Sequence, residues 1–564
     1  MLAISRWFRG AAICYVLSAA APVWSAGVGS TVHGVTKNAT GQPLAGAQVI
    51  AYNVEDKSEK RTVSGVDGTY ALSLEKPGRY EISAVLEPLK SPGGNPTDVT
   101  PGQDRTYDII LGTPTPVTNV ARPGPFWRRL ANAYRDDWKG TAASAPAPAY
   151  RGYEAPVSNP PWPFVVWPYG GSPVIGQPNT MSPPLMNALY AGPHGEAWQA
   201  SRIQVYGWVN GGFNISSSNK SGTANAPAAY YVYPNSIQLD QATLYVERVP
   251  DTVQTDHIDW GFRFTALYGM DYRFTTSKGI LSSQLLDRNQ RWGFDPVMAY
   301  VDVYVPQIAQ GMNIRIGRYV SLPDIEAQLA PNNYTYSHSI TYTYDCYTQQ
   351  GINTTTRLNN HWMIQLGLSS GCDASLWTQD AKLTGNACVS YTWREGKDNI
   401  YLCANSINSG KYAYNNLAAY YATWYHKIND KWHTDFESWY QYERGVPSIF
   451  GPIAPEVGAN GAWCKPGETR CYAPDSSLLN YVERQFGGHD TLSIRNEFVD
   501  DIKGQRTGIK TRYTEHLVSW NHWIGTSLLF RPEVRFERSY DNPAFDNATK
   551  KNQLILAGDV IVFY

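Results

Sequence analysis

The chain has 564 residues, with 47 Lys and Arg against 48 Asp and Glu, a formal charge of −1, and that balance excludes the basic excess of a nucleic-acid binder. Only 17% of residues are charged, while 13% are aromatic, led by 39 Tyr and 19 Trp, side chains that favour a boundary between apolar and wet surroundings. A mean hydropathy of −0.38 excludes a polytopic helical membrane protein, and 48 Gly with 37 Pro argue against long helices.

Residues 1–26 have the three parts of an export signal: Arg6 and Arg9, an apolar stretch over 11–21 (AAICYVLSAAA), then small residues at Ser25 and Ala26 where cleavage is expected. The apolar stretch falls short of the ~20 residues that span a bilayer, and no later segment reaches that length without Pro or charge. Spanning helices are excluded; spanning strands are not. Of seven cysteines, Cys14 leaves with the signal. The remaining six, Cys346, Cys372, Cys388, Cys403, Cys464 and Cys471, are an even number in an exported chain and read as disulfides. Without any Cys-x-x-Cys, zinc is the weaker reading, and neither metal nor cofactor is expected.

Residues 30–112 read as a small all-β unit, with strand-like runs near 47–52, 69–74, 80–85 and 107–111 separated by Gly, Pro and Asp turns. The runs 41–49 (GQPLAGAQV) and 66–70 (VDGTY) resemble the carboxypeptidase regulatory-like sandwich. That resemblance implies a folding or docking accessory rather than a catalyst. Residues 113–200 are a Pro/Ala-rich linker. Within it 126–138 is helix-like, with Trp127, Leu130, Ala131, Tyr134 and Trp138 on one face. That face is expected to pack on the sandwich, with a membrane surface as the alternative. The run 160–176 (PPWPFVVWPYGGSPVIG) is too aromatic to stand in water and is placed to enter a larger structure as a plug.

From 203 to 564 the chain alternates with period two. Over 258–268, Ile258, Trp260, Phe262, Phe264, Ala266 and Tyr268 share one face, and Asp259, Gly261, Arg263 and Thr265 the other. The runs 432–443, 528–538 and 553–564 behave likewise, with aromatics toward strand ends, as in the interfacial girdles of a membrane barrel. About 16 strands are counted, starting near Ile203, Gln238, Ile258, Val297, Met312, Tyr342, Trp362, Ala387, Asp398, Asn416, Trp432, Leu478, Thr491, Thr511, Ser527 and Gln553. Their connections alternate long and short. Short periplasmic turns and long external loops produce this parity; a soluble sandwich has no reason to. The fold class expected is all-β: a transmembrane antiparallel barrel over 203–564 plus the small sandwich. Parity puts the sandwich in the periplasm, with the barrel's outer face in outer-membrane lipid. On this layout the disulfides pair Cys346–Cys372, Cys388–Cys403 and Cys464–Cys471, with Cys372–Cys388 as the rival pairing.

The segments Gly261-Phe262-Arg263, 267–276 (LYGMDYRFTT), 311–319 (GMNIRIGRY), 323–334 (PDIEAQLAPNNY) and 501–508 (DIKGQRTG) resemble the OmpL-like β-barrel porin-2 family across nearly the whole barrel. The resemblance implies an outer-membrane porin-like protein. The sandwich departs from the simplest layout of that family.

Projecting the polar faces inward gives a lumen with Asp259, Arg263, Arg315, Asp435, Glu437, Arg495, Glu497, Arg531, Glu533 and Arg535. Facing charges of both signs set up a transverse field that orders water and passes ions and small polar solutes; the competing reading is a packed interior in which they neutralise one another. The run 321–336 is a candidate constriction loop, folding inward through a short helix-capable piece so that Asp324 and Glu326 face the arginine side. An ordinary external loop is the alternative. No catalytic residue is assigned. His338 lies beside Ser337 and Ser339, but neighbours in a strand point to opposite faces, so no nucleophile–base pair forms. The function expected is passive diffusion of small polar solutes or ions. The alternative is a structural or adhesive barrel that grips a periplasmic, cell-wall or surface partner. Solute identity and homo-oligomeric state are left open.

Overall fold

The computed structural model describes residues 30–111 apart from 39–42, 77, 87–88, 92–96 and 100–103, and residues 124–564 apart from 141–149, 154–155, 157, 159, 165–173, 180, 228–229 and 453–460. The export signal lies outside the described residues. The chain divides into two compact units, 1–115 and 116–564.

The first unit holds nine strands: β1 (Ser30–Asn38), β2 (Gln48–Asn53), β3 (Glu59–Val63), β4 (Thr69–Leu74), β5 (Gly78–Leu86), β6 (Leu89–Lys90), β7 (Thr97–Val99), β8 (Asp104–Thr106) and β9 (Ile109–Leu111). One sheet runs β4-β1-β8 with β9 also on β1; the other runs β3-β2-β5-β6 with β7 on β5. Period-two alternation sends Val49 and Ala51, Tyr70, Leu72 and Leu74, and Tyr80, Ile82 and Ala84 into one apolar core. The Asp67-Gly68 turn needs its glycine. Gly68 has φ +74°, and a side chain there would meet the Thr36 carbonyl oxygen at 2.7 Å.

The second unit opens with α1 (Phe126–Trp138), α2 (Pro184–Tyr190) and α3 (Gly195–Ser201). Sixteen strands follow: β10 (Ile203–Ser216), β11 (Ile237–Arg248), β12 (Asp259–Gly269), β13 (Gly293–Val305), β14 (Met312–Val320), β15 (Thr348–Arg357), β16 (Trp362–Ser369) and β17 (Thr384–Trp393). The set continues with β18 (Asp398–Ile407), β19 (Ala418–Asn429), β20 (Trp432–Pro447), β21 (Arg470–Phe486), β22 (Asp490–Asp501), β23 (Thr511–Ile524), β24 (Leu528–Ser539) and β25 (Asn552–Phe563). Each pairs antiparallel with its neighbour, and β25 closes on β10 with Val209 opposite Val562. Tyr564 locks the seam: its N–H donates to the Gly207 carbonyl at 2.9 Å and its hydroxyl to the Thr243 carbonyl at 2.8 Å. Closure leaves no unpaired edge, which lipid cannot hydrate.

Loop parity holds around the ring. One end carries connections such as 321–347 and 448–469, the other 430–431 and 487–489. Outward positions form an aliphatic band, including Leu244, Val301, Ile316, Leu402, Val534 and Leu556, between two aromatic girdles. Trp260, Trp362, Trp520 and Phe486 lie toward the short-turn end; Tyr268, Tyr420, Tyr440, Tyr472 and Tyr540 toward the long-loop end.

Two expected strand starts are displaced. The sixth strand begins at Thr348 rather than near Tyr342, because 340–343 forms a helical turn capped by the Ser339 hydroxyl, which accepts from the Tyr342 N–H at 3.0 Å. The twelfth begins at Arg470 rather than near Leu478, since its pairing with β20 continues outward to Pro447. Helix α1 docks on the barrel's short-turn rim. Its Asp137 carboxylate accepts from the Thr526 and Ser527 amides at 2.9 and 3.0 Å, and its Tyr134 hydroxyl donates to the Phe563 carbonyl at 2.6 Å. Trp127 stays 75% exposed.

Val534→Arg, mid-strand on the lipid face, is expected to cost about 2–4 kcal/mol of barrel stability, read by denaturant titration in phospholipid vesicles; Val534→Leu is expected to be near neutral.

Candidate functional site: the charged lumen and the segment inside it

All ten lumen residues projected from the alternation face inward; nine are buried and Arg263 is 17% exposed. Their partners come from the strand register. Arg263 sits directly opposite Glu247 and bonds it at 2.6 Å; Arg315 sits opposite Asp302 and bonds it through two nitrogens at 2.9 Å; Arg531 sits opposite Asp559 and bonds it at 2.5 and 3.0 Å. Arg495 reaches Glu515 at 3.1 Å, and Arg535 reaches Glu537 at 2.9 Å. Asp259, near the short-turn end, is held by Arg202 at 2.8 Å and Arg248 at 3.0 Å. The partners Glu247, Asp302, Glu515 and Asp559 escaped the sequence reading, although each has inward parity; what was needed was the cross-strand register. Glu537, two residues from Arg535 on the same strand, was already on the polar face.

The connection between β14 and β15 runs through the barrel. Every residue from 321 to 342 except Asn332 is buried. The expected helical piece near 323–329 does not form; the chain stays irregular there, with a single 3-10 turn at Ala330–Asn332. A buried irregular segment exposes its own N–H and C=O groups, which need partners. The charged wall supplies them by sign. Wall carboxylates take amides: Glu437 accepts from the Ile325 N–H at 2.8 Å, Glu533 from Tyr336 at 3.0 Å, and Glu497 from Ile340 at 2.9 Å and from Thr341. Wall arginines take carbonyls. Arg531 donates to Ala330, Asn333 and Thr335 at 2.9, 3.0 and 3.0 Å, Arg495 to Ser337 at 2.7 Å, and Arg535 to His338 at 2.5 Å.

Glu326 meets the arginine side, bonding Arg495 at 2.8 Å and accepting from the Ser339 N–H at 2.9 Å. Asp324 does not. It faces the Asp345 carboxyl at hydrogen-bonding range, with Glu437 close by. The segment turns there toward β20, away from the arginines of β22 and β24.

The aromatic run 160–176 contributes from the opposite end. Trp162 packs edge-on against His433 at 4.6 Å, and Phe164 lies against Trp523 and Phe563. The two intruding segments touch: the Phe164 N–H donates to the Pro331 carbonyl at 3.0 Å, and the Asn332 amide donates to the Phe164 carbonyl at 2.5 Å. Residues 165–173 lie outside the described residues. Among the described residues, Glu437, Arg495, Glu497, Arg531, Glu533 and Arg535 of the projected charges bond the inner segment.

The disulfides pair as Cys346–Cys372, Cys388–Cys403 and Cys464–Cys471, which excludes the rival Cys372–Cys388. The first ties the end of the inner segment to the 370–383 loop. Beside it Asp373 accepts from the Thr348 N–H at 2.8 Å and from the Asn415 amide at 2.6 Å.

Residues 202–564 match the family described as "Putative beta-barrel porin-2, OmpL-like". The chain belongs to this family. That family places its barrels in the bacterial outer membrane. Residues 31–112 of this porin-2 protein match the carboxypeptidase regulatory-like domain. No curated relative matches the chain. Among solved structures it is similar to an anion-selective porin from Comamonas acidovorans (9% identity, covering 64% of this chain and 99% of that one, TM-score 0.40). It is also similar to the outer membrane channel DcaP of Acinetobacter baumannii (10%, 64%, 97%, 0.40) and to a loop L8 deletion mutant of OmpT from Vibrio cholerae (9%, 64%, 99%, 0.41). At such identities and TM-scores these neighbours say nothing of solute or mechanism.

Two outcomes are expected of this porin-2 lumen. Arg531→Met removes three hydrogen bonds to the inner segment and leaves Asp559 without its guanidinium, a loss of about 3–5 kcal/mol; hydrogen exchange of 330–337 should quicken while β24 and β25 stay protected. Burial pushes the Asp373 carboxyl, in the 370–383 loop, up to about 6 from 3.8. A raised folded pKa stabilises below the unfolded value and that stability is lost as pH rises through the folded one. Amide protection around Thr348, corrected for intrinsic exchange, is therefore expected to fall between pH 4 and 6.5, and Asp373→Asn to flatten the change.

Proposed function

We propose that this protein works as an outer-membrane porin-type channel for small polar solutes or ions, with the 321–347 segment as its movable barrier. One observation carries the reading: the wall is lined by charged side chains, and although Leu322, Ile325, Leu329 and Ile340 of the segment make apolar contacts, its backbone is held by hydrogen bonds to wall carboxylates and guanidinium groups. Such contacts exchange with water at small net cost, so displacement of the segment would leave a wall already suited to water. An apolar filling would not.

The short turns would face the periplasm, as would the sandwich, which is suited to gripping a periplasmic or cell-wall partner. Support for a homo-oligomer comes from the wall itself. At eight residues, β16 is the shortest barrel strand, and its tilted height of ~20 Å falls below the ~25 Å apolar band, a mismatch that association between copies relieves. The ordered lumen contacts assign no catalytic chemistry, and the reading is of transport.

Purified protein in planar bilayers tests this. The intact chain is expected to show small, fluctuating conductance. Replacing 322–338 by a short Gly/Ser linker, which keeps the Cys346–Cys372 tether, is expected to raise it severalfold. Equal conductance would remove the segment from the permeation path. Silence in both proteins would instead indicate a structural barrel.

A further inference from the structure

The lumen is not symmetric in charge. The arginines of its ion pairs lie on β11–β14 and on β22–β24, and Arg357 of β15 donates to the Ile175 carbonyl at the short-turn end. Within the wall between, β20 and β21 point five carboxylates inward, Asp435, Glu437, Glu443, Asp475 and Glu483, and no Lys or Arg. Register orders them through the membrane: Glu483 opposite His433, then Asp435, then Glu437 opposite Leu479, then Asp475 opposite Gln441, then Glu443. From 433 to 443 the strand rises about 33 Å, or ~25 Å at barrel tilt, the full apolar band. The inner segment adds Asp324 and Asp345 across from Glu437.

Several of these groups are buried without a cationic partner among the described residues. Asp435 is fully buried, and its neighbouring donors are the Tyr334 hydroxyl and, 3.6 Å away, His433; Asp475 Oδ1 and Glu483 Oε1 accept no hydrogen bond. The groups facing the track are otherwise neutral or already engaged. His433 lies 3.6 Å from Asp435 and bonds the Tyr334 hydroxyl, Tyr421 donates to Asp345, and Ser493 donates to Glu483. Cations stand at its two ends. Lys427 pairs with Asp430 at 3.1 Å, and Arg506 donates to the Tyr344 carbonyl at 2.7 Å near Asp475. Among the described residues no Lys or Arg forms an ion pair with Asp435, Glu437, Asp475 or Glu483.

Buried carboxylates without a paired cation are costly, and a mobile counter-cation is the compensation the geometry invites. We propose that the β20–β21 wall and the facing side of the inner segment form a file of binding sites for small monovalent cations, which makes the lumen cation-selective. The inference rests on the channel reading and names its solute class. Spacing favours monovalent ions. Among the described residues no three carboxylates of the track bring ligand oxygens within 4.8 Å of one another, so no tight divalent cage exists. A row of weak sites that an ion enters and leaves suits passage.

Two measurements on the full-length protein test it. In planar bilayers under a tenfold KCl gradient, the reversal potential is expected to have the cation sign, with K⁺ favoured over Cl⁻ about fivefold or more. The triple variant Asp435→Asn, Asp475→Asn, Glu483→Gln is expected to cut that preference by at least threefold. In crystals soaked with thallium(I), anomalous density is expected beside Asp435 or between Asp324 and Asp345 of the wild type. Conduction without cation preference, or preference unmoved by the triple variant with no thallium on the track, overturns the inference and leaves the channel standing. Thallium on the track of a barrel silent in bilayers keeps the sites and removes the channel. Silence with no thallium removes both. Should the triple variant fail to fold, thallium in the wild type decides.

Discussion

Every buried backbone N–H and C=O must find a partner, and in this protein that constraint operates twice. In the lipid it forces the sixteen strands to close, because an edge strand would leave a row of unsatisfied groups in hydrocarbon. Inside the cylinder it governs the 321–347 segment. That segment is irregular, so it cannot satisfy itself as a helix or a strand would. Side chains of the wall meet the need, carboxylates taking its amides and guanidinium groups its carbonyls. The polar wall is thus complementary to a stretch of backbone.

Charge is the means of that complementarity. Arg531 illustrates the economy of it: one edge of the guanidinium is neutralised by Asp559 on the next strand, and one nitrogen still reaches three carbonyls of the segment. The planar fork of arginine allows both at once, which a lysine ammonium would not. Buried ion pairs contribute little net stability compared with apolar packing. Their presence here fits an interior that meets water when the segment moves, where an apolar wall would resist wetting. The face of β20 and β21 stands apart from this scheme because its inward charges are all carboxylates.

Much of the architecture was legible along the chain because it is written locally. Period-two alternation reports which side of a strand meets lipid, so Trp260 and Arg263 could be assigned to opposite faces from neighbours alone. Loop length reports which end of the barrel a connection occupies, and the three cysteine pairs follow once strands and ends are known. The errors were local too. A helical turn at 340–343 delayed the sixth strand, and polar outward residues over 470–477 hid the start of the twelfth. Helix α1 was recognised, but its partner, the 525–527 turn, lies almost four hundred residues away in the chain and left no mark on the helix's own pattern.

What the amino-acid order determined by itself was therefore strand number, facing, the parity of the two ends and the sign of each inward charge, all of them consequences of steric alternation and of hydrophobicity read over a few residues. What the tertiary structure decided was occupancy: that Glu247 meets Arg263 and Asp559 meets Arg531, that Asp324 turns toward Asp345 rather than toward the arginines, and that 321–347 lies within the cylinder. A polar, Pro-containing segment has the same composition whether it waves in water or threads a charged lumen. Only the closed ring, by bringing distant carboxylates and guanidinium groups around it, makes the inner position the one in which its backbone is satisfied.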